Sequence, residues 1–225
     1  HDVLFERQSD KRTSQRVLEL RTAVQVDIDQ FYGIEILEWP TKIAEVAMWL
    51  MDHQMNQEAS EKFGQSFERL PLKSSPHIIC GNALRMDWEE MTRGVDFDYV
   101  LGNPPFVGMA RMSSDQKSDN RFIFSSTHYK GLRTGRLDYV ACWYAHALAY
   151  AKGRRTRCAF VSTNSIVQGE QARTLGPLLE ESGFKIDFAH CSFKWISEAK
   201  GKAQVTVVII GFSEGKESEN KHIFQ

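Results

Sequence analysis

Short apolar runs alternate along this chain with stretches in which apolar residues recur every three or four positions. The runs at 30–36, 77–84, 97–101, 158–164, 184–190 and 203–212 are rich in aromatic and β-branched residues and read as strands. Helical spacing begins at Pro40, in a first-turn position that suits proline. It continues through Ile43, Val46, Ala47, Leu50 and Met51, a stripe expected to pack in a core, with Met48 and Trp49 also expected to pack. A second helix is predicted over 137–151, where Leu137, Val140, Ala141, Tyr144, Ala145, Leu148 and Ala149 form the apolar face and Gly153 ends it. A third covers 169–182 and stops at Gly183. Residues 56–76 and 107–136 lack such periodicity and read as loops, with a short helical turn starting near Met86-Asp87-Trp88. Strands alternating with helices predict an α/β sheet.

The stretch 98–106, Asp-Tyr-Val-Leu-Gly-Asn-Pro-Pro-Phe, changes character halfway. Its first half continues the apolar run, but Pro104 and Pro105 lack an N–H and cannot donate to a sheet ladder. Pro104 also biases Asn103 towards an extended conformation. The chain is therefore expected to leave the sheet in a stiff turn at the carboxyl end of a strand, where ligands bind in open α/β sheets. Asn103 and the Pro104 carbonyl suit the two protons of an exocyclic amine, and Phe106 suits the face of a planar heterocycle. By itself an Asn-Pro-Pro is as often a plain loop. Its place after a strand, with similar polar strand exits before it, favours the functional reading.

Those exits are Glu35 and Asn82. Glu35 is a carboxylate in an apolar strand end, where an acidic residue in nucleotide-binding α/β folds accepts bonds from ribose hydroxyls; the competing reading is a solvated strand-end glutamate. Asn82, after Gly81, reads equally as a turn residue. Ser162 to Ser165 close another strand and are expected to face the same crevice. Asp138 lies where a carboxylate suits a helix dipole. Residues 192–196 set Phe193 and Trp195 beside Lys194 in an expected loop with Lys200 and Lys202, a combination that could stack on an extruded base or simply pack under a lid. Arg111, Lys117, Arg121, Lys130, Arg133 and Arg136 in the 107–136 segment suit phosphate contacts or a flap, and equally a solvated loop.

Composition sets bounds. The apolar share of 42% and charged share of 25% are those of a soluble globular domain, and 225 residues suffice for one core. No apolar run approaches a membrane span, and a cytoplasmic protein is expected. Cys80, Cys142, Cys158 and Cys191 show no paired spacing and are expected as reduced, buried thiols, with no metal site. A net charge of −1 neither demands nor excludes nucleic acid.

The segment Gly-Asn-Pro-Pro-Phe-Val-Gly at 102–108 resembles motif IV of the amino-group DNA methyltransferases of the adenine-N6 (gamma) type, as found in fused type II restriction–modification proteins. The likeness runs from about Phe31 to Phe212. It implies a Rossmann-like class I methyltransferase sheet with strands in the order 3-2-1-4-5-7-6, the last antiparallel. It implies S-adenosyl-L-methionine as cofactor and double-stranded DNA as partner. Asn103, Pro104, Pro105 and Phe106 would be catalytic, with Glu35, Ile36, Asn82, Ala83 and Asn103 on the cofactor. Phe106 and Phe193, or Trp195 in its place, would hold the target base, with Lys194 beside them. Asp138 in Leu-Asp-Tyr resembles motif V. The family's glycine-rich loop around the cofactor methionine has no counterpart in the sequence. The expected organisation is therefore a connecting segment at 1–30, a methyltransferase core at 31–213 lacking its first strand and glycine loop, and a polar, frayed tail at 214–225. Target-recognition and possible nuclease domains would lie elsewhere. Alternatives are methylation of a protein amide or amine, where Asn-Pro-Pro also serves, and an inactive nucleic-acid-binding module of the same fold.

Overall fold

Backbone hydrogen bonding sorts the strands into two sheets. The computed structural model describes residues 26–63, 75–125, 129, 134–195, 205–215 and 222–224, and the chain divides into two units, His1–Ala83 and Leu84–Gln225. The expected amphipathic piece around Val17, Leu18 and Leu20 lies outside the described residues, as do Lys130, Arg133, Lys200 and Lys202.

In the first unit, β1 (Tyr32–Glu35) pairs in parallel with β2 (His77–Cys80), with Tyr32 opposite His77 and Glu35 opposite Cys80. The Tyr32 and His77 rings stack with centroids 4.3 Å apart. A capping box on the 3-10 turn Ile28–Gln30 precedes β1: the Asp27 side chain accepts from the Gln30 N–H, and Gln30 Oε1 accepts from the Asp27 N–H at 2.7 Å. Parallel strands need a crossover, and α1 (Glu38–Phe63) supplies it, running on through part of the expected 56–76 loop. The predicted core stripe of α1 is not buried. Ile43, Val46, Leu50 and Met51 are each at least half exposed, and Ala47 is exposed, while Met48 and Trp49 are half-buried. The physical reason lies in the unit itself: two short strands offer too little surface to cover a 26-residue helix.

In the second unit five strands lie in the order β3-β4-β6-β5-β7. They are β3 (Tyr99–Gly102), β4 (Arg157–Thr163), β5 (Phe184–Trp195), β6 (Val205–Glu214) and β7 (His222–Phe224). β6 runs antiparallel to both of its neighbours, and the other pairings are parallel. The order β2-β1 gives the 3-2 part of the expected sheet, and β3-β4-β6-β5 gives its 4-5-7-6 part, with β6 as the antiparallel strand. Among the described residues no strand pairs with the second edge of β1 or of β3. Among the described residues the α-helices of this unit are α2 (Trp88–Met91), α3 (Ser114–Ile123), α4 (Ala141–Ala151) and α5 (Gly169–Glu181).

The core gathers where α4 meets the sheet. α4 is buried almost all round, as an apolar helix inside a domain must be. Tyr144 stacks on Phe212 at 5.4 Å and meets Phe160 edge-on at 5.2 Å. Its hydroxyl and Ser162 Oγ form a 3.0 Å hydrogen bond. Ser162 is thus fully buried core and not a crevice residue, as was expected of it. Three more expectations change. The 107–136 segment contains α3, whose capping box pairs Ser113 and Gln116. The loop expected at 192–196 is strand as far as Trp195, because two register shifts let β5 follow β6 past His190. The 214–225 tail holds β7, paired with β5 at Phe188, Ala189 and His190. Cys142 and Cys158 are buried, but Cys80 and Cys191 are exposed, each standing at a strand position whose side chain is not covered.

Candidate active site

Strand directions decide which residues share an edge of the larger sheet. β3 and β4 are parallel, and β4 and β5 are both antiparallel to β6. The carboxyl ends of β3, β4 and β5 therefore lie on one side. That edge carries Asn103 to Phe106 after β3, Asn164 and Ser165 after β4, and Phe193 and Trp195 at the end of β5. A direct contact joins two of these ends: Ser192 Oγ donates to Asn164 Oδ1 at 2.6 Å.

Gly102 is still in β3, opposite Phe160. A Cβ there would come within 3.1 Å of the Phe160 ring, so glycine serves close packing at this point. Beyond it Asn103 is exposed, Pro104 buried and Phe106 half-buried. The turn is closed locally by the Val107 N–H on the Pro105 carbonyl at 3.0 Å. It is then fastened to the segment ahead of α4. The Tyr139 N–H donates to the Val107 carbonyl at 2.9 Å, and the Met109 N–H donates to Asp138 Oδ1 at 3.0 Å. The second oxygen of Asp138 accepts from Ser165 Oγ at 2.8 Å. An open cavity of about 410 Å³ is bounded by residues 108–111, Arg136, Asp138 and Gln171.

Behind this turn lies a charged group with its partners. Asp119 of α3, almost fully buried, accepts from Arg85 Nε at 2.6 Å and from the Tyr139 hydroxyl at 2.7 Å. Arg85 lies over the Phe122 ring at 4.4 Å and donates to Ser118 Oγ at 2.9 Å. Burial, and then the bond to Asp119, raises the Tyr139 phenol well above its ordinary value. Tyr139 is therefore a donor of fixed orientation at neutral pH.

In the first unit, Glu35 closes β1 as expected and is half-buried. Its Oε1 accepts from the Ile36 N–H at 2.9 Å. The Gly81 N–H donates to the Glu35 carbonyl at 2.8 Å, which carries the pairing one residue past β2. Glu35 and Ile36 thus leave the sheet at the same edge as Asn82 and Ala83.

The profile of the family described as "MmeI, DNA-methyltransferase domain" matches residues 4–225. The chain belongs to that family. It is 37% identical over 218 residues to DNA methyltransferase A of Bacillus subtilis (strain 168), an alignment covering 95% of this chain and 24% of that protein. Among solved structures it is similar to the type IIL restriction–modification enzyme MmeI in complex with DNA, with 47% identity and a TM-score of 0.82 over 95% of this chain and 28% of that one. The methyltransferase subunit of a type I restriction–modification system from Streptococcus thermophilus shares the fold, with a TM-score of 0.51 at 17% identity over 85% of this chain and 35% of that one. The chain thus spans about a quarter of the length of the first two relatives.

Within this MmeI-type domain, the residues singled out in the sequence fall into two sets. Asn103, Pro104, Pro105, Phe106, Phe193 and Trp195 share an edge of the larger sheet. Glu35, Ile36, Asn82 and Ala83 share an edge of the smaller one. Phe193 and Trp195 lie two apart in β5, with ring centroids 6.3 Å from each other, and Lys194 falls on the opposite face by strand alternation. The sequence reading included Asn164 and Ser165 in its 162–165 strand exit but missed the buried Asp119. It read Asp138 as a dipole partner or a motif V residue and did not foresee the two specific bonds that its carboxylate makes. The signal for α3 was present in Ser113-x-x-Gln116, a capping-box spacing.

Proposed function

We propose that this domain transfers the methyl group of S-adenosyl-L-methionine to the N6 amine of an adenine flipped out of double-stranded DNA, as part of a longer restriction–modification protein. The observation that carries the reading is the Asn103-Pro104-Pro105-Phe106 turn at the carboxyl edge of β3, with Asn103 exposed on it.

The chemistry needs an amine whose lone pair is free of the aromatic ring. Asn103 Oδ1 and the Pro104 carbonyl would each accept one amino proton, which holds the nitrogen's lone pair outward. Both acceptors also stabilise the positive charge that grows on nitrogen. No side-chain base is required at the outset, because the N–H becomes acidic as the nitrogen acquires its fourth bond. Phe106 would stack on one face of the base, and Phe193 or Trp195, on the same sheet edge, would close the other. Lys194, on the far face of β5, suits a phosphate better than the base.

S-adenosyl-L-methionine would supply a methyl group made electrophilic by its sulfonium. Glu35 fits the ribose: one oxygen is occupied by the Ile36 N–H, and among the described residues no bond is made to the other. Ile36, Asn82 and Ala83 leave the same edge and would flank the adenosine. The methionine half calls for a glycine-rich loop that the sequence lacks.

Asn103→Ala tests the assignment in the intact protein. Single-turnover transfer of labelled methyl to DNA is expected to fall by about 10²–10³, with cofactor affinity nearly unchanged. Rates within threefold of the unsubstituted protein would overturn the role. Label appearing in a protein substrate and not in DNA would favour amide or amine methylation instead. Glu35→Ala should show the reverse pattern, weakened cofactor binding being the main defect.

A further inference from the structure

The segment from Asn103 to Met109 has few backbone hydrogen bonds to the rest of the chain among the described residues. Pro104 and Pro105 have no N–H to donate, and the bond from Val107 to Pro105 is internal to the turn. After β3, the next anchors among the described residues are the Val107 carbonyl on the Tyr139 N–H and the Met109 N–H on Asp138. Both lead to the same two residues.

We propose that Asp138, acting with Ser165, is a positioning residue that sets the Asn-Pro-Pro-Phe turn for methyl transfer, an inference that rests on the reading above. Its carboxylate joins three elements that the sequence holds far apart. Oδ1 takes the Met109 N–H at 3.0 Å from the segment after β3. Oδ2 takes the Ser165 hydroxyl at 2.8 Å from the end of β4, and Ser165 Oγ also lies 2.8 Å from Thr163 Oγ1. The backbone of Asp138 is held as well: its N–H donates to Gln171 Oε1 at 3.0 Å, and Gln171 Nε2 donates to the Arg136 carbonyl at 3.0 Å. A carboxylate placed only to complement the α4 dipole would need none of these partners. Here the carboxylate is fixed to α5 through its own backbone and to β4 through one oxygen. The other oxygen is then a fixed point for the turn that carries Asn103.

Geometry and charge make different predictions for the substitutions. In Asp138→Asn, the amide oxygen can still accept from Met109 and the amide N–H can donate to Ser165 Oγ. The clamp survives without its charge. Asp138→Ala removes both bonds, and Ser165→Ala leaves Oδ1 in place but frees the carboxylate to rotate.

The experiment uses the intact protein and its Asp138→Ala, Asp138→Asn and Ser165→Ala variants. A displacement of about 1 Å at a reacting centre costs about 10²-fold in rate, so Asp138→Ala should lose about that factor in single-turnover methylation of DNA. Asp138→Asn should stay within about fivefold, Ser165→Ala should fall between the two, and the cofactor dissociation constant should change less than about twofold throughout. A rate within threefold for Asp138→Ala would overturn the proposal. So would Asp138→Asn falling as far as Asp138→Ala, because the charge and not the clamp would then be at work. Failure of the functional reading has a separate signature: the unsubstituted protein would transfer no methyl group to DNA. Hydrogen exchange at the Met109 amide then decides the clamp. Protection lost in Asp138→Ala and kept in Asp138→Asn supports it, and protection unchanged in Asp138→Ala overturns it.

Discussion

The hydroxyl of Ser192 donates to the side-chain oxygen of Asn164 at 2.6 Å, tying the end of β4 to the residue just before Phe193. The tie sits where β5 shifts register against β6, between His190 and Phe193. A bulge of this kind re-aims the side chains that follow it, and the hydrogen bond fixes how far. One neutral hydrogen bond contributes about 0.5–1.5 kcal/mol net. Asn164→Ala and Ser192→Ala in the intact protein should therefore weaken productive DNA binding by a few-fold to roughly tenfold, with cofactor affinity unchanged. Phe193→Ala should cost more, since stacking on a base is worth about 1–3 kcal/mol. Measured KM values for DNA that do not move in any of the three would remove Phe193 from the base site and leave Trp195 as the candidate.

A glycine in the middle of the sheet should tolerate no side chain. Gly211 of β6 stands opposite Phe188 of β5, and a Cβ on it would lie 2.0 Å from the Phe188 ring. Gly211→Ala is expected to lower stability by about 1–3 kcal/mol or more through overpacking, seen as a fall in Tm. Phe188→Leu in the same chain should recover part of the loss. A Gly211→Ala protein with unchanged Tm would refute the close packing.

His146 of α4 should make the fold sensitive to mild acid. Its ring lies 4.4 Å from that of Trp88, and burial pushes its pKa below the usual histidine value against the opposing charge of Asp87. The unfolded chain then takes up the proton first as pH falls through about 6.5, so stability drops over that range and levels off below the folded-state pKa. Glu214 acts at lower pH. The bonds from Lys152 and from the Gly153 N–H lower its pKa, so its contribution is present above about pH 4.5 and lost beneath that as the folded-state pKa is passed. Tm measured from pH 8 to pH 5 should decline for the unsubstituted chain and decline less for His146→Gln. Parallel curves would show that His146 is not responsible.

The four thiols should separate by reactivity. Burial pushes Cys142 and Cys158 up to about 12, where almost no thiolate exists at neutral pH. Cys80 and Cys191 are exposed. Alkylation of the folded chain at pH 8, read by mass spectrometry, should modify Cys80 and Cys191 and spare the other two. Rapid labelling of Cys142 would mean that α4 does not stay packed against β4.

What the sequence disclosed follows the kind of signal each element carries. β3 was legible because an apolar run stops abruptly at two prolines, and β1 because Glu35 breaks an otherwise apolar end. α3 was not, because its sequence is polar and its one buried acid, Asp119, is held by Arg85 and Tyr139 from distant segments. No local pattern reports such a partner. The extension of β5 to Trp195 escaped for a related reason. Its register slips twice, and each slip breaks the two-residue alternation by which a strand is recognised. Ser162 looked like a crevice residue by its position in a polar strand end, but the partner that draws it inward, Tyr144, lies eighteen residues earlier on α4.

The position of β6 between β4 and β5 has a bearing on how the domain comes off the ribosome. The strand that fills the gap in the larger sheet is made after both strands that flank it. Until residues 205–214 emerge, β4 has only β3 beside it and β5 has no earlier strand to join, so two apolar edges stand open at once. Such edges are the surfaces on which nascent chains find one another. Chains released just before Val205 would therefore be expected to aggregate, whereas chains released after Glu214 carry the strand that closes the centre of the sheet.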